Sequence, residues 1–272
     1  MTQLSRIIAL RAAIMLSEGL LGERDCDNKY KEEAPCITVT LWKRLVAEGL
    51  GTAILVNAGL GCVMADYYSA GSGSPANEDC AIQFGLALGI SICLFGAISG
   101  AHFNPAISLA FACIRPKDFA FSDVLPYSLA QLFGAMVGTG INLTYYSGVI
   151  SNYEDALGMS AHSAVSVQPF SLYWAEGMDE GNAFASEFWG TFLLGFLVFV
   201  VTNTRTINLG LYVPATLSVG LIIIINVIGP TTMCGINPAR DVGPRIVAMV
   251  AGWGAKDVFK ENTWIYTLAP LL

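Results

Sequence analysis

Five long apolar runs dominate the chain, and each is long enough to cross a lipid bilayer as a helix. A membrane-spanning helix needs about 20 mostly apolar residues. The runs cover residues 41–65, 81–99, 124–147, 183–202 and 211–228. A sixth run extends from Trp264 to Leu272, and at about 1.5 Å per residue it is too short to cross about 30 Å of hydrocarbon. We therefore predict an all-α membrane protein with six spans, of which the sixth is truncated in this sequence.

The composition agrees with a membrane protein and excludes other classes. Of 272 residues, 54% are hydrophobic and 13% are charged, about half the charged share of a typical soluble domain. Disordered chains have low hydrophobicity and nucleic-acid binding proteins have a basic face, whereas here 14 Lys and Arg stand against 21 Asp and Glu. The seven Cys form no Cys-x-x-Cys pair and there are two His. We expect the lipid bilayer as a partner, and no nucleic acid, metal or cofactor.

Two shorter apolar stretches, about 104–114 and 237–251, each open with Asn-Pro-Ala. Proline is favoured in the first turn of a helix because its missing N–H would have no partner there, and Asn is a good N-cap. The pattern predicts two short helices that begin at these tripeptides, which are Asn104-Pro105-Ala106 and Asn237-Pro238-Ala239. Paired short segments in corresponding halves are typical of inverted-repeat membrane proteins.

A second motif supports the duplication. Glu48-x-x-Gly51-Thr52 recurs as Glu187-x-x-Gly190-Thr191, and the two Glu lie 56 and 50 residues before their Asn-Pro-Ala. Each unit would hold three spans, so the second copy must be inverted in the bilayer. We predict a channel domain over 41–272, with repeat one at about 41–147, a long extracellular loop at about 148–182 and repeat two at about 183–272.

The positions of Lys and Arg predict the orientation. Cytoplasmic loops are enriched in these residues, and here they flank the predicted spans as Lys43, Arg44, Arg115, Lys117 and Arg205. This places the N-terminus in the cytoplasm, with the plasma membrane as the expected location.

Residues 1–40 precede the first span. Arg6 and Arg11 alternate there with apolar residues, which favours an interfacial amphipathic helix. A cleaved signal peptide and an unstructured tail are the alternatives.

The two Asn-Pro-Ala boxes stand in Ser99-Gly-Ala-His102-Phe-Asn-Pro-Ala and Cys234-Gly-Ile-Asn-Pro-Ala-Arg240. Together with the repeated Glu-x-x-Gly-Thr they resemble the aquaporin and aquaglyceroporin family, from about residue 41 to the end. One departure is Phe103, where the family usually has Leu. The resemblance implies six spans with two re-entrant half-helices, and passive conduction of water and small neutral solutes such as glycerol. It also implies a homotetramer with one pore per subunit and no catalysis.

The same two boxes have a direct physical interpretation. Two short helices whose N-termini meet at mid-membrane would direct two positive dipole ends at one point. The side-chain amides of Asn104 and Asn237 would face the lumen as donors. A water molecule between them turns its oxygen towards both donors and cannot relay a proton, and a cation meets a positive field, as in aquaporin-type pores generally. For each Asn, simple helix capping is the alternative.

Arg240 follows the second box directly, and an Arg at membrane depth is by default functional. The resemblance implies that it belongs to a constriction formed by four residues, which are Phe84, Ile225, Cys234 and Arg240. Ordinary packing against lipid or core is the alternative for Phe84 and Ile225. Water-selective members typically have His at the position of Ile225, and glycerol channels have Gly there with a second aromatic near Cys234, so this ring matches neither. Cys234 is the only Cys expected to face the constriction.

Other residues resemble the glycerol channels. Asp241 and Arg245 occur where water channels usually have small residues, and an i,i+4 pair shares one face of a helix. This pair is expected to brace the second short helix and widen the pore slightly; a surface pair is the alternative. The turn Ala251-Gly-Trp-Gly254 and the long fourth connection also resemble that branch.

Glu48 and Glu187 are expected to accept hydrogen bonds from backbone N–H groups of the adjacent loops, with Gln131 in a similar supporting role. A proton-relay role for the two carboxylates would instead make the protein a coupled transporter. The sequence also leaves open a water-selective channel and a non-conducting adhesion protein on the same scaffold.

Overall fold

A computed structural model describes residues 39–69, 78–203 and 209–272 of the chain, and this part is helical with no strand. Five helices are long and apolar enough to cross a membrane. This confirms the five apolar runs. The helices in chain order are α1 (Leu41–Met64), α2 (Glu78–Ser99), α3 (Pro105–Ile114), α4 (Val124–Ala156), α5 (Glu180–Val201), α6 (Val213–Thr232), α7 (Pro238–Ala251), α8 (Ala255–Val258) and α9 (Trp264–Leu271).

The two predicted short helices are α3 and α7, and both begin where the sequence indicates. Asn104 and Asn237 are their N-caps in extended backbone conformation, and Pro105 and Pro238 occupy the first helical position. The helix before α7 ends at Met233, whose left-handed conformation (φ 61°) reverses the chain into the second loop. The predicted sixth apolar run forms α9.

The connection between α4 and α5 is shorter than the predicted loop at about 148–182. Helix α4 continues to Ala156, and α5 already begins at Glu180, where the side chain of Asp179 accepts a hydrogen bond from the backbone N–H of Asn182. Polar residues after 147 suggested a loop. However, Tyr153 packs its ring on those of Tyr67 and Tyr68, and this contact extends the helix beyond the apolar run.

Close helix packing in the first half depends on glycines. A Cβ at Gly134 of α4 would lie 2.1 Å from the backbone oxygen of Gly49 on α1, and one at Gly138 would lie 2.5 Å from that of Ala53. Since real Cβ atoms do not approach this closely, the two helices touch backbone to backbone. Small residues at such interfaces are typical of membrane helices.

The long helices form two groups that the short helices join. In the first group α1 packs against α2 and α4, and in the second α5 packs against α6 and α9. Across the groups α2 contacts α6, while α3 and α7 both lie between α4 and α9. The Asn-Pro-Ala ends of the short helices therefore meet near the centre of the bundle.

The outer surface of the bundle is apolar. Large exposed side chains face outwards from the long helices, among them Leu86, Leu129, Trp189 and Val227. Apolar patches of this extent on a helical bundle fit a lipid environment rather than water. The segment 1–38, for which the sequence predicts an interfacial helix, and Arg205 lie outside the described residues.

Candidate pore

The two Asn side chains cross-link the two loops. Oδ1 of Asn104 accepts from the N–H of Ala106 (2.8 Å), and its Nδ2 donates to the carbonyl oxygen of Ile236 (2.8 Å). In the same way Oδ1 of Asn237 accepts from the N–H of Ala239 (3.1 Å), and its Nδ2 donates to the carbonyl oxygen of Phe103 (2.8 Å). Each amide thus caps its own helix and ties it to the other loop. One N–H of each Nδ2 group is left over for a molecule in the cavity that both Asn line.

Left-handed backbone shapes both loops. Ala101 and Phe103 have φ values of 55° and 49° in the first loop, and Cys234 and Ile236 have 53° and 33° in the second. Non-glycine residues with positive φ are uncommon and are retained where the surroundings dictate them, often at functional sites. Here they occur at matching distances before the two Asn.

Two buried carboxylates hold these loops in place. Oε1 of Glu48 accepts from the N–H of His102 (3.0 Å), and Oε2 accepts from the N–H of Phe103 (2.7 Å). Glu187 accepts in the same way from the N–H groups of Gly235 (2.9 Å) and Ile236 (2.6 Å). Both side chains are fully buried, and neither lines the central cavity. The carboxylates therefore satisfy backbone donors that the strained loops would otherwise leave unpaired.

The repeated glycine of Glu-x-x-Gly-Thr leaves space for a loop residue in both halves. A Cβ at Gly51 would lie 2.1 Å from the ring of Phe103, and one at Gly190 would lie 2.9 Å from Cγ2 of Ile236. Each glycine thus makes room for the loop residue whose N–H the neighbouring Glu binds. The departure from Leu to Phe at 103 is accommodated in this space.

The first loop has additional polar support, most of which the sequence analysis did not anticipate. Nε2 of Gln131 donates to Oε2 of Glu48 (2.8 Å) and to Oγ of Ser108 (3.0 Å). Oγ of Ser108 is in turn 3.1 Å from Nδ1 of His102, whose ring stacks on that of Phe111. His102 lines the cavity. Its place directly before Phe103 in the first box was the available sequence signal.

A cavity of about 260 Å³ is lined by residues of both loops. Its lining includes all four residues of the predicted constriction, together with both Asn. Ile225 and Phe84 are apolar and almost fully buried, at 8% and 7% exposed. The cavity wall is mostly apolar, with a few polar groups, which is typical of sites for small uncharged ligands.

Arg240 is the charged group of this cavity. Its guanidinium carbon lies 5.2 Å from the centroid of the Phe84 ring, within the range of a cation–π contact. The guanidinium makes no hydrogen bond to the other described residues, so its N–H donors are available to a molecule in the cavity.

Cys234 is not alone in lining the cavity, and the expectation that it is the only cysteine at the constriction stays a prediction. Cys234 does line the cavity, but Cys80 on α2 lines it as well. Cys80 lies one helical turn before Phe84, so the face of α2 that carries Phe84 also presents Cys80. The family resemblance gave no reason to assign that position to the cavity.

Asp241 and Arg245 form a buried pair rather than a surface pair. Nε of Arg245 donates to Oδ1 of Asp241 at 2.8 Å, and the two side chains are 1% and 0% exposed, Arg245 first. Arg245 also donates to the carbonyl oxygens of Leu172 (3.0 Å) and Val258. The pair thus fastens α7 to the connection between α4 and α5 and to α8.

The described residues contain no cluster of three or more His, Cys, Asp or Glu that could hold a metal ion. The sequence-based expectation of no metal and no cofactor stays a prediction.

The fold and the cavity define a class: this is an integral, multi-pass helical membrane protein with the aquaporin fold. The pattern of the major intrinsic protein family matches residues 36–272, and the chain belongs to that family. A "Glycerol uptake facilitator protein" of Haemophilus influenzae is 32% identical over 234 residues, which cover 84% of this chain and 86% of that protein. "Aquaporin-9" of Homo sapiens is 34% identical over 243 residues, covering 86% and 79%. The solved structure of the aquaglyceroporin from Plasmodium falciparum superimposes with a TM-score of 0.73 at 25% identity, covering 85% of this chain and 91% of that one.

Proposed function

We propose that this protein is a passive channel for water and small neutral polyols such as glycerol, and that it excludes ions and protons. The observation that carries the proposal is the shared cavity of Asn104, Asn237 and Arg240 inside an otherwise apolar wall. The similarity to a glycerol uptake facilitator and to an aquaglyceroporin supports the polyol part. No reaction is catalysed on the way.

The two Asn amides act as the orientation point for passing molecules. Each has one N–H held by the opposite loop, so the other N–H has a fixed direction. Helices α3 and α7 add the positive ends of their dipoles at the same place. A hydroxyl or water oxygen accepts from both amides. Its hydrogens then point away, which breaks a proton relay, while cations are repelled.

The ring of Phe84, Ile225, Cys234 and Arg240 acts as the selectivity filter. A polyol needs donors for its hydroxyl groups and an apolar surface for its carbon backbone. Arg240 supplies donors, and Phe84 and Ile225 supply the apolar surface. The small side chain of Cys234 leaves space, whereas Ile225 takes space that a Gly would leave open. We therefore place the channel between the polyol-selective and the water-selective branches.

We also propose an arrangement of the helices and an orientation of the protein in the membrane. The channel domain covers 41–272 as two inverted repeats with six spans and re-entrant α3 and α7, after a cytoplasmic segment 1–40. Arg115 contacts Thr202 at the end of α5 (3.0 Å), which supports one shared cytoplasmic side for the basic residues. We further propose a homotetramer in the plasma membrane, with one pore per subunit.

Stopped-flow light scattering of proteoliposomes tests the proposal. We expect fast water shrinkage and glycerol entry with low activation energies, and no current under voltage clamp in planar bilayers. A proton current comparable to the solute flux would contradict it. Complete exclusion of glycerol would favour a water-selective channel, and a protein without any flux would favour an adhesion role.

A proton-coupled transporter has less support. Glu48 and Glu187 are fully buried behind the loops and do not line the cavity. The side-chain path from Glu48 to the cavity residue His102 runs through the amide of Gln131 and the hydroxyl of Ser108, and the amide donates without giving up a proton. A relay along this path would need an ionisable group where the chain has an amide.

A further inference from the structure

Two cysteines on neighbouring long helices lie sulfur to sulfur. Sγ of Cys80 on α2 is 2.6 Å from Sγ of Cys62 on α1. A disulfide bond is about 2.05 Å long, so the two sulfur atoms need to approach by only about half an ångström to bond. The neighbouring helices are already packed together along their length. No large movement of backbone is required.

The pair is within reach of a small oxidant. Cys62 is partly exposed, and Cys80, although buried from the outer surface, lines the central cavity. A neutral molecule of the size of water that enters this cavity arrives at Cys80. Access and thiolate character together decide which cysteines of a protein react with small oxidants, and the cavity supplies the access.

Cys62 and Cys80 lie next to the two helical turns that position Phe84. Cys80 precedes Phe84 by one turn of α2, and Cys62 follows Gly59 by about one turn of α1. The Phe84 ring lies directly on Gly59, since a Cβ there would be 2.2 Å from the nearest ring carbon. A covalent bond between Cys62 and Cys80 would therefore fix the spacing of the wall on which Phe84 rests. Phe84 in turn contacts Arg240.

We propose that Cys62 and Cys80 form a reversible disulfide that acts as a redox switch on the constriction at Phe84. The switching role rests on the proposed channel function, whereas the disulfide itself does not. The disulfide holds Phe84 in the ring and restricts the larger solute. In the dithiol form α1 and α2 are held by packing alone, so Phe84 yields to glycerol more readily relative to water.

Hydrogen peroxide can serve as the oxidant for this disulfide. The first thiolate attacks one oxygen of hydrogen peroxide, the O–O bond breaks, and a sulfenic acid and water form after proton transfer. The second thiolate attacks that sulfur, the S–S bond forms, and a second water leaves. The two thiols lose two electrons and two protons, and the peroxide is reduced to two waters. A dithiol reductant reverses the step by thiol–disulfide exchange.

The covalent part is tested without measuring flux. Purified full-length protein is treated with hydrogen peroxide, alkylated, digested and analysed by mass spectrometry without reduction. We expect a linked peptide pair that contains Cys62 and Cys80, the loss of two alkylatable thiols, and recovery of both with dithiothreitol. Separate oxidation of the two residues to sulfinic acids, or full alkylation of both after peroxide, would overturn the proposal.

The functional part uses the same samples in proteoliposomes. We expect the ratio of glycerol to water flux to fall on oxidation of wild type and to return on reduction. Cys62→Ala and Cys80→Ser should each abolish the response. Cys93→Ala is the matched control, because Cys93 is on the same helix but exposed on its outer face, and it should respond as wild type does. A response that persists in Cys62→Ala comes from another cysteine and overturns the switch.

The two hypotheses fail in different ways. If the linked peptide forms but the flux ratio is the same in both states, the switch is wrong while the channel stands. If neither state conducts, the channel function is wrong, and the linked peptide still reports on the disulfide.

Discussion

The loop before α3 and the loop before α7 have the same backbone shape but different surroundings. In both loops a buried Glu accepts two backbone N–H bonds, and an Asn caps the short helix. The first loop is further supported by neutral polar groups, including the amide of Gln131. The second is adjoined by charged residues, with Arg240 in the cavity and the Asp241–Arg245 pair behind it.

This difference separates a loop that mainly fixes the shape of the pore from one that mainly sets its selectivity. A neutral network places no charge in the lumen, so the first loop serves mainly as a scaffold. Arg240 and its neighbours put charge and donors into the cavity from the second loop. Substitutions that remove support from the first loop should therefore affect folding most, and those around the second loop should affect selectivity most.

A comparison of Glu48→Gln with Glu187→Gln is the strongest test of this division between the two loops. Glu48 accepts four hydrogen bonds, from Ser99, His102, Phe103 and Gln131, whereas Glu187 accepts two from the backbone. Hydrogen bonds to a charged group contribute about 1.5–3 kcal/mol each. Since Gln turns an NH₂ group towards these donors, we expect Glu48→Gln to lose about 3–5 kcal/mol of stability and Glu187→Gln about half of that.

Thermal unfolding in detergent and the yield of monodisperse protein measure the effect. Molecules of Glu48→Gln that do fold should conduct. A stable, well-folded Glu48→Gln protein with abolished flux would instead favour a relay role for this carboxylate.

Asp241→Asn tests the support of the second loop. The substitution leaves the Arg245 guanidinium buried with only carbonyl acceptors, and breaking a buried ion pair costs about 3–5 kcal/mol in general. We expect a loss of about 2–3 kcal/mol because two carbonyl acceptors remain. We also expect a lower ratio of glycerol to water flux, because α7 is no longer fastened to its neighbours.

Asp123→Asn is the matched control for this experiment. Its partner Arg44 is 27% exposed and Asp123 is 15% exposed, so the pair is screened by solvent. The loss of folding stability in Asp123→Asn should be below about 1 kcal/mol. Equal losses in the two variants would show that burial of the Asp241–Arg245 pair has no energetic consequence.

Inhibition of flux by mercurials tests which cysteines are reached from the pore. Since Cys234 and Cys80 both line the cavity, we expect Cys234→Ser to remove most of the inhibition of flux but not all of it. Cys234→Ser combined with Cys80→Ser should remove the rest. Full block of the double variant would place the mercury site outside this cavity.

Ile225→His is expected to have the smallest effect. The change adds a donor and a polar surface where the ring is now apolar, so glycerol flux should fall by several-fold more than water flux, as for a loss of about 1 kcal/mol of favourable contact. Parallel water and glycerol measurements on one preparation give the ratio. An unchanged ratio would mean that Ile225 is not part of the filter.

Hydropathy and local helix signals in the sequence predicted the five long helices and the two short ones. Membrane spans are fixed by length and hydropathy, and Asn with Pro at the first helical position marks a helix start locally, so α3 and α7 were predicted to within a residue. The family resemblance also named four residues that line one cavity. These signals are local or are repeated within the chain, and a single sequence contains them in full.

Contacts between groups that are distant in the sequence follow from the packing of the helices. The extension of α4 to Ala156 depends on Tyr67 and Tyr68 from another helix, and the Cys62–Cys80 contact depends on how α1 and α2 pack. Likewise, Gln131 finds both Glu48 and Ser108 because α1, α3 and α4 converge. Hydropathy shows that a residue lies in a membrane span but carries no information on its neighbour across the bundle, because that neighbour is set by the packing of backbones.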